Sequence, residues 1–163
     1  MIIYHGSDLA IKKPEILVSD RFLDFGMGFY TTSNKEQATR WASKVSSRNK
    51  AKDKILSVYE FDLVKAKKEL KVLEFPSPDE KWLNFVTSNR NGKIIDEEYD
   101  IVIGPVADDN VYLTVKLFET NVLSIDETLR RLKVEKLFDQ ILFHTLRSLE
   151  VCVFDHYEVL GGD

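Results

Sequence analysis

The chain has 163 residues, 44% of them hydrophobic and 31% charged, and a formal net charge of −4. That length suits one domain, 1–163, with a core that needs no staples, and the acidic balance gives no global attraction to nucleic acid. A single cysteine, Cys152, excludes an internal disulfide and a multi-cysteine zinc site, and no apolar run approaches the ~20 residues of a membrane span.

Met1-Ile2-Ile3-Tyr4-His5 has no basic n-region and no small-residue cleavage site. It reads as a strand, not a signal peptide, so the chain is expected in the cytoplasm. Residues 6–32 read as irregular, punctuated by Gly and Pro. Ser33 and Glu36 predict a capping box at the start of a first helix. Ala38, Trp41, Ala42 and Val45 form its buried stripe. After a polar linker, Ile55 to Leu63 alternates like a strand, and Leu70 to Phe75 predicts another. Ser77, Pro78 and Glu80 predict a second helix start, with Trp82, Phe85 and Val86 inward and Asn91-Gly92 at its end. Tyr99 to Ile103 reads as a strand closed by Gly104-Pro105. Asp108 should cap a helix that buries Val111, Val115 and Phe118. Ser124 and Glu127 predict a third capping box, before a helix with Leu129 and Leu132. Phe138 to Phe143 and Leu149 to Val159 read as the last strands. Helices and strands mix without regular βα alternation, which predicts an α+β fold.

Residues with chemistry concentrate near the N-terminus. His5 ends the first strand; its plainest role is a hydrogen-bonded turn histidine. Gly6 follows, and a glycine at a strand end lets a ligand approach bare N–H and C=O groups. Gly26 and Gly28 bracket Met27 ahead of Phe29-Tyr30-Thr31-Thr32. No lysine follows in a G-x-x-x-x-G-K pattern, so this is not a P-loop. It reads either as a flexible turn into a short strand or as a mobile wall whose rings cover a flat ligand. Elsewhere the bland readings lead. Asp108 and Asp109 are helix-cap groups, and Asp96-Glu97-Glu98 is a solvated acidic turn. His144 and His156 lack metal-ligand spacing. Cys152 is a packed strand thiol, and Trp41 and Trp82 are core.

Tyr4-His5-Gly6-Ser7, Asp24-Phe25-Gly26-x-Gly28-Phe29-Tyr30-Thr31-Thr32, Tyr99 to Asp109, and Asp139 to Thr145 occur in this order. Together they resemble a bacterial family of uncharacterised proteins, the DUF3990 group, placed with the ADP-ribosyltransferase-like superfamily. The resemblance runs over nearly the whole chain. It implies two small packed β-sheets with flanking helices and a nicotinamide cleft between them. It also implies the chemistry of the superfamily's His-Tyr-Glu class. His5 would bond the adenosine-side ribose, the Gly6 backbone would hold the nicotinamide amide, and Tyr30 would stack on the nicotinamide ring. Ser7, Gly28, Phe29 and Thr31 would complete the NAD-binding stretch. The third position falls on Gln140, where the class carries glutamate. Glutamine can hydrogen-bond the ribose hydroxyl but contributes no full charge, and losing such a group costs roughly 100- to 1,000-fold in rate. Neighbouring Asp139 should face the other way along the strand.

The implied reaction cleaves the nicotinamide–ribose bond of NAD, without a metal, and transfers ADP-ribose to a macromolecular acceptor or, as a glycohydrolase, to water. The superfamily's habits add a toxin or defence role, with a cognate antitoxin or other partner protein. Two rivals stand beside this expectation: a non-catalytic NAD- or nucleotide-binding module, and a protein-interaction scaffold on the same fold. The latter would use the basic segment Lys35, Arg40, Lys44, Arg48, Lys50, Lys52 and Lys54. Arg40, Lys44 and Arg48 share one helix face, which reads as a solvated face or as a patch for phosphates, an acidic partner or, less favoured, nucleic acid.

Overall fold

In the computed structural model, residues 1–18, 23–93, 98–106, 109–135 and 137–161 are described. Two antiparallel-built sheets form an α+β domain. Strand β1 (Ile2–Ser7) lies on the edge of a three-stranded sheet, next to β3 (Lys54–Phe61), which also pairs with β7 (Cys152–Leu160). A four-stranded sheet runs in the order β2 (Phe29–Thr31), β6 (Asp139–Phe143), β5 (Ile101–Pro105), β4 (Val72–Glu74), with only β4 and β5 parallel. Among the described residues one backbone bridge, Tyr4 to Thr32, links the two sheets.

Alternation divides the four-stranded sheet's side chains between two cores. Phe29, Ile101, Ile141 and Phe143 meet Ile3, Tyr59 and Phe61 of the other sheet. Phe61 and Phe143 cross edge to face at 5.2 Å, the arrangement that ring quadrupoles favour. Val102 and Leu142 point the opposite way, into helices α3 (Glu80–Arg90), α4 (Asp109–Glu119) and α5 (Ile125–Lys133), where Trp82, Leu83, Val86, Val111, Val115 and Leu132 are buried.

Helix α1 (Lys35–Asn49) differs from expectation at two points. Its N-cap is Asn34, whose Oδ1 accepts from the Gln37 N–H at 2.8 Å, rather than Ser33. The reason is the preceding corner: Asp139 Oδ1 takes the Ser33 N–H at 3.0 Å and Thr32 Oγ1 takes the Asn34 N–H at 3.0 Å, which delays the helix by one residue. Glu36 pairs with Arg40 on the helix surface. Trp41 is not core but 51% exposed. Helix α1 presses so closely on β1 that only Ala38 and Ala42 fit the contact. A Cβ on Gly6 would sit 2.0 Å from the Ala38 carbonyl oxygen. Trp41, a helical step before Ala42, is carried out of that narrow seam into solvent.

A short helix, α2 (Leu63–Glu69), takes the end of what reads as strand; Asp62 caps it by accepting from the Lys65 N–H at 2.9 Å. Helix α3 is capped by Asp79, one residue after the expected proline, and ends at Asn91 with Gly92 at φ 65°. Ser124 caps α5 as expected, but the Glu127 carboxylate turns to Arg130 and Arg131 instead of closing a box. A 3₁₀ turn, Leu146–Val151, precedes β7. The cap at Asp108 and the Asp96-Glu97 part of the acidic turn lie outside the described residues. No described helix is long and apolar enough to cross a membrane.

Candidate functional site

The site grows from the place where β1 and β2 part. Tyr4 and Thr32 exchange both backbone hydrogen bonds, at 2.8 and 3.0 Å. In an antiparallel strand the outward peptide groups recur every second residue. The odd residues of β1 bond to β3, as Met1 and Phe61 show by exchanging bonds at 2.8 and 2.7 Å. Gly6 therefore directs its N–H and C=O the same way as Tyr4, toward β2, but beyond the bridge where the strands have separated. Its missing side chain serves the helix behind it; its peptide groups serve the split in front.

His5 enters that split from the adjacent position. Its Nδ1 lies 2.7 Å from the Tyr30 carbonyl oxygen. A carbonyl only accepts, so Nδ1 carries the proton and Nε2 is left as the acceptor of the neutral ring. Burial pushes the His5 pKa down, against the raising effect of that bond, and favours this neutral form. The ring also packs on Phe29, centroid to centroid 4.7 Å. Phe29 and Thr31 themselves turn into the interior: Phe29 joins the inter-sheet core and Thr31 Oγ1 donates to the Ile141 carbonyl at 3.0 Å. Ser7 Oγ donates to Asp8 at 3.2 Å near the split's outer end.

Tyr30 presents its ring to the helix-covered face of the sheet. Its hydroxyl donates to the Gly26 carbonyl at 2.5 Å and accepts from the Phe25 N–H at 3.2 Å. Burial pushes its pKa well above the usual tyrosine value, so the hydroxyl stays a donor. The loop it holds needs its glycines. Gly26 has φ 89°, and Gly28 has φ 152° with space for a Cβ only 2.2 Å from the Phe143 carbonyl oxygen. Asp24 anchors the same loop to α3 through Arg90 Nε at 2.6 Å, and the Arg90 guanidinium stacks 4.6 Å over Tyr112. The sequence reading gave this anchor no role; the only local signal was an acid placed just before the glycine pair.

Gln140 lies on the Tyr30 face of β6, two residues from Tyr30's cross-strand partner Leu142. Such diagonal neighbours stand roughly 7–8 Å apart. Gln140 is only 7% exposed, and its Nε2 is a buried donor without a hydrogen-bond partner. Its other neighbour is Gly104, where a Cβ would meet the Phe25 ring at 3.1 Å. Asp139 is committed elsewhere, accepting from Thr32 Oγ1 at 2.9 Å and from the Ser33 N–H. It supplies the β2–α1 corner, not a charge beside Gln140.

The remaining candidates take other roles. Cys152 is buried, and burial pushes its thiol up to about 12. Exposed His156 pairs with Asp155 at 2.8 Å. His144 backs the Gly26 turn: a Cβ on Gly26 would lie 3.1 Å from His144 Cε1. Two cations of the basic segment are paired locally, Lys35 with Glu158 at 2.8 Å and Arg40 with Glu36. Asp100 is a buried node. It accepts from Arg147 Nε at 2.8 Å, Thr145 Oγ1 at 2.7 Å and the Lys71 N–H at 2.9 Å. Arg147's bonds in particular hold its carboxyl far below the usual carboxylate range.

No curated protein matches the chain. A family model described as "Protein of unknown function (DUF3990)" matches residues 1–154, which takes in the β1–β2 split, the glycine loop and Gln140, and the chain belongs to that family.

Proposed function

We propose that this protein is an NAD-dependent ADP-ribosyltransferase, with NAD as substrate, working in the cytoplasm as a toxin or defence effector whose partners are a macromolecular acceptor and a cognate antitoxin. The observation that carries the reading is the β1–β2 split. There the outward N–H and C=O of Gly6 offer the donor–acceptor pair that a carboxamide matches, beside a neutral His5 whose Nε2 can accept from a ribose hydroxyl. Tyr30 is tied to His5 through its backbone carbonyl, while its ring lies on the helix-covered face that also carries Gln140. In the proposed reaction the ribosyl C–N bond breaks and its electron pair leaves with neutral nicotinamide. The ribose carries the positive charge, and an acceptor attacks and loses a proton. The chain's work is to hold the two ends of NAD and orient the ribose. The unpartnered Gln140 amide suits a hydrogen bond to the ribose hydroxyl.

One observation favours a second reading, a non-catalytic NAD-binding module. The third position is neutral, and the adjacent acid is spent on Thr32 and Ser33. A proton NMR time course of the protein with NAD, beside His5→Ala, separates the two. Free nicotinamide that appears with the wild type and not with the variant supports transferase or glycohydrolase chemistry. Line broadening without release supports the binding module. Neither signal sinks both.

A further inference from the structure

On the helix-covered face, at the other end of β6 from Gln140, lies a cavity of about 320 Å³. His144, which lines it, is four residues along from Gln140, about 13 Å at strand rise. Three rings form its walls: Phe25 and Phe85 meet at 5.9 Å and 66°, and Phe85 and Tyr99 at 6.4 Å and 72°. These edge-to-face contacts turn the rings toward a shared hollow instead of stacking them shut.

The polar lining is rich in acceptors. Asn89 donates its Nδ2 to the Phe85 carbonyl at 3.0 Å, which orients the amide with Oδ1 turned toward the Gly26 turn. That oxygen lies 3.3 Å, and His144 Cε1 3.1 Å, from the point where a Gly26 Cβ would stand, so the two side chains converge on the turn. Glu98, an exposed residue, adds an acid to the lining. Thr145 donates its hydroxyl hydrogen bond to Asp100. The His144 backbone is fixed from behind, its amide N–H donating to the Asp100 carbonyl at 2.8 Å. Burial lowers its pKa, which keeps the ring neutral.

We infer that this cavity is a binding site for a planar nitrogen heterocycle bearing an exocyclic amino group, a nucleobase-sized ligand seated among the three rings with its N–H donors on Asn89 Oδ1 and Glu98. The volume sits at the lower end of small-molecule sites, which fits one fused ring system and not a dinucleotide. The wall of the cavity is also the loop that Tyr30 holds through Gly26. The inference stands apart from the proposed NAD chemistry, because it uses none of His5, Gly6 or Gln140.

The test is titration with free adenine, read from the imidazole Cε1–H signals. The chain has three histidines, so His144 is resolved by comparison with a His144→Gln spectrum. Adenine should move the His144 signal saturably while leaving His156 in place. Purine, which lacks the amino group, should bind about tenfold more weakly, as should adenine to Asn89→Leu, the loss expected for one hydrogen bond. His5→Ala should bind adenine like the wild type. An unchanged thermal midpoint shows that Asn89→Leu is folded, and Asn89→Asp serves as a second variant if it is not, since it restores an acceptor and should retain binding. No saturable shift, equal affinity for adenine and purine, or undiminished binding to folded Asn89→Leu would each overturn the proposal.

Discussion

At the β1–β2 split, Gly6 turns its peptide groups outward and His5 keeps an acceptor on Nε2; on the β5–β6 face, Gln140 is almost fully buried beside Gly104, and Asp139 is tied into a corner. Gly6 is buried as Gln140 is; the difference is that the first region offers backbone donors and acceptors where two strands part, and the second only a neutral side-chain amide. The difference separates two demands on an NAD-handling site. Gripping a carboxamide and a ribose needs only neutral donors and acceptors in fixed places. Stabilising a cationic transition state needs a charge, and the chain supplies none at Gln140.

The largest effect should come from Gly6→Ala. With 2.0 Å between the new Cβ and the Ala38 carbonyl, α1 must move off β1. Urea unfolding should register a loss of about 3 kcal/mol or more. A neutral result would mean that the β1–α1 seam does not set the split's geometry. Next is Gln140→Glu. Under the transferase reading, nicotinamide release should rise roughly 100-fold or more, the scale of one transition-state electrostatic group. An unchanged rate would assign the buried face to structure alone.

Asp100→Asn probes the covered side. It should cost about 2 kcal/mol through the lost Arg147, Thr145 and Lys71 bonds. The sign with pH follows from the depressed folded pKa. The carboxylate's contribution is complete above the unfolded value of about 3.9 and fades as pH falls toward the folded one. Wild type should therefore lose stability below about pH 4 more steeply than the variant. The smallest effect belongs to Trp41→Ala, which should change stability by no more than about 0.5 kcal/mol because the ring stands in solvent.

Patterning made most of this architecture legible. Alternation located β3 and β6, and the Ala38, Ala42, Val45 stripe found the buried side of α1. Trp41 escaped because apolar character alone cannot report how narrow a helix–strand seam is; the seam's width is set by Gly6, far away in sequence. The start of α1 shifted because Asp139, from a strand more than a hundred residues on, competes for the Ser33 N–H. Helix α2 fell in the short stretch between two expected strands, overlapping the first only at Leu63, and its Asp62 cap sat inside that strand run. In the site, His5, Tyr30 and Gln140 stood out by residue type and order. Their unequal exposure did not, because it depends on Phe25 folding across Gly104.

The account rests most directly on the outward peptide groups of Gly6, and its amide can be watched in a nitrogen–proton correlation spectrum during NAD titration. The structure has Gly6 facing the split and Gly161 in open space at the far end of the chain. A saturable shift of the Gly6 amide, with Gly161 unmoved and the response abolished in His5→Ala, is the predicted result. A Gly6 amide that does not respond while NAD binds elsewhere, or no response anywhere, would contradict the assignment of the β1–β2 split as the NAD site.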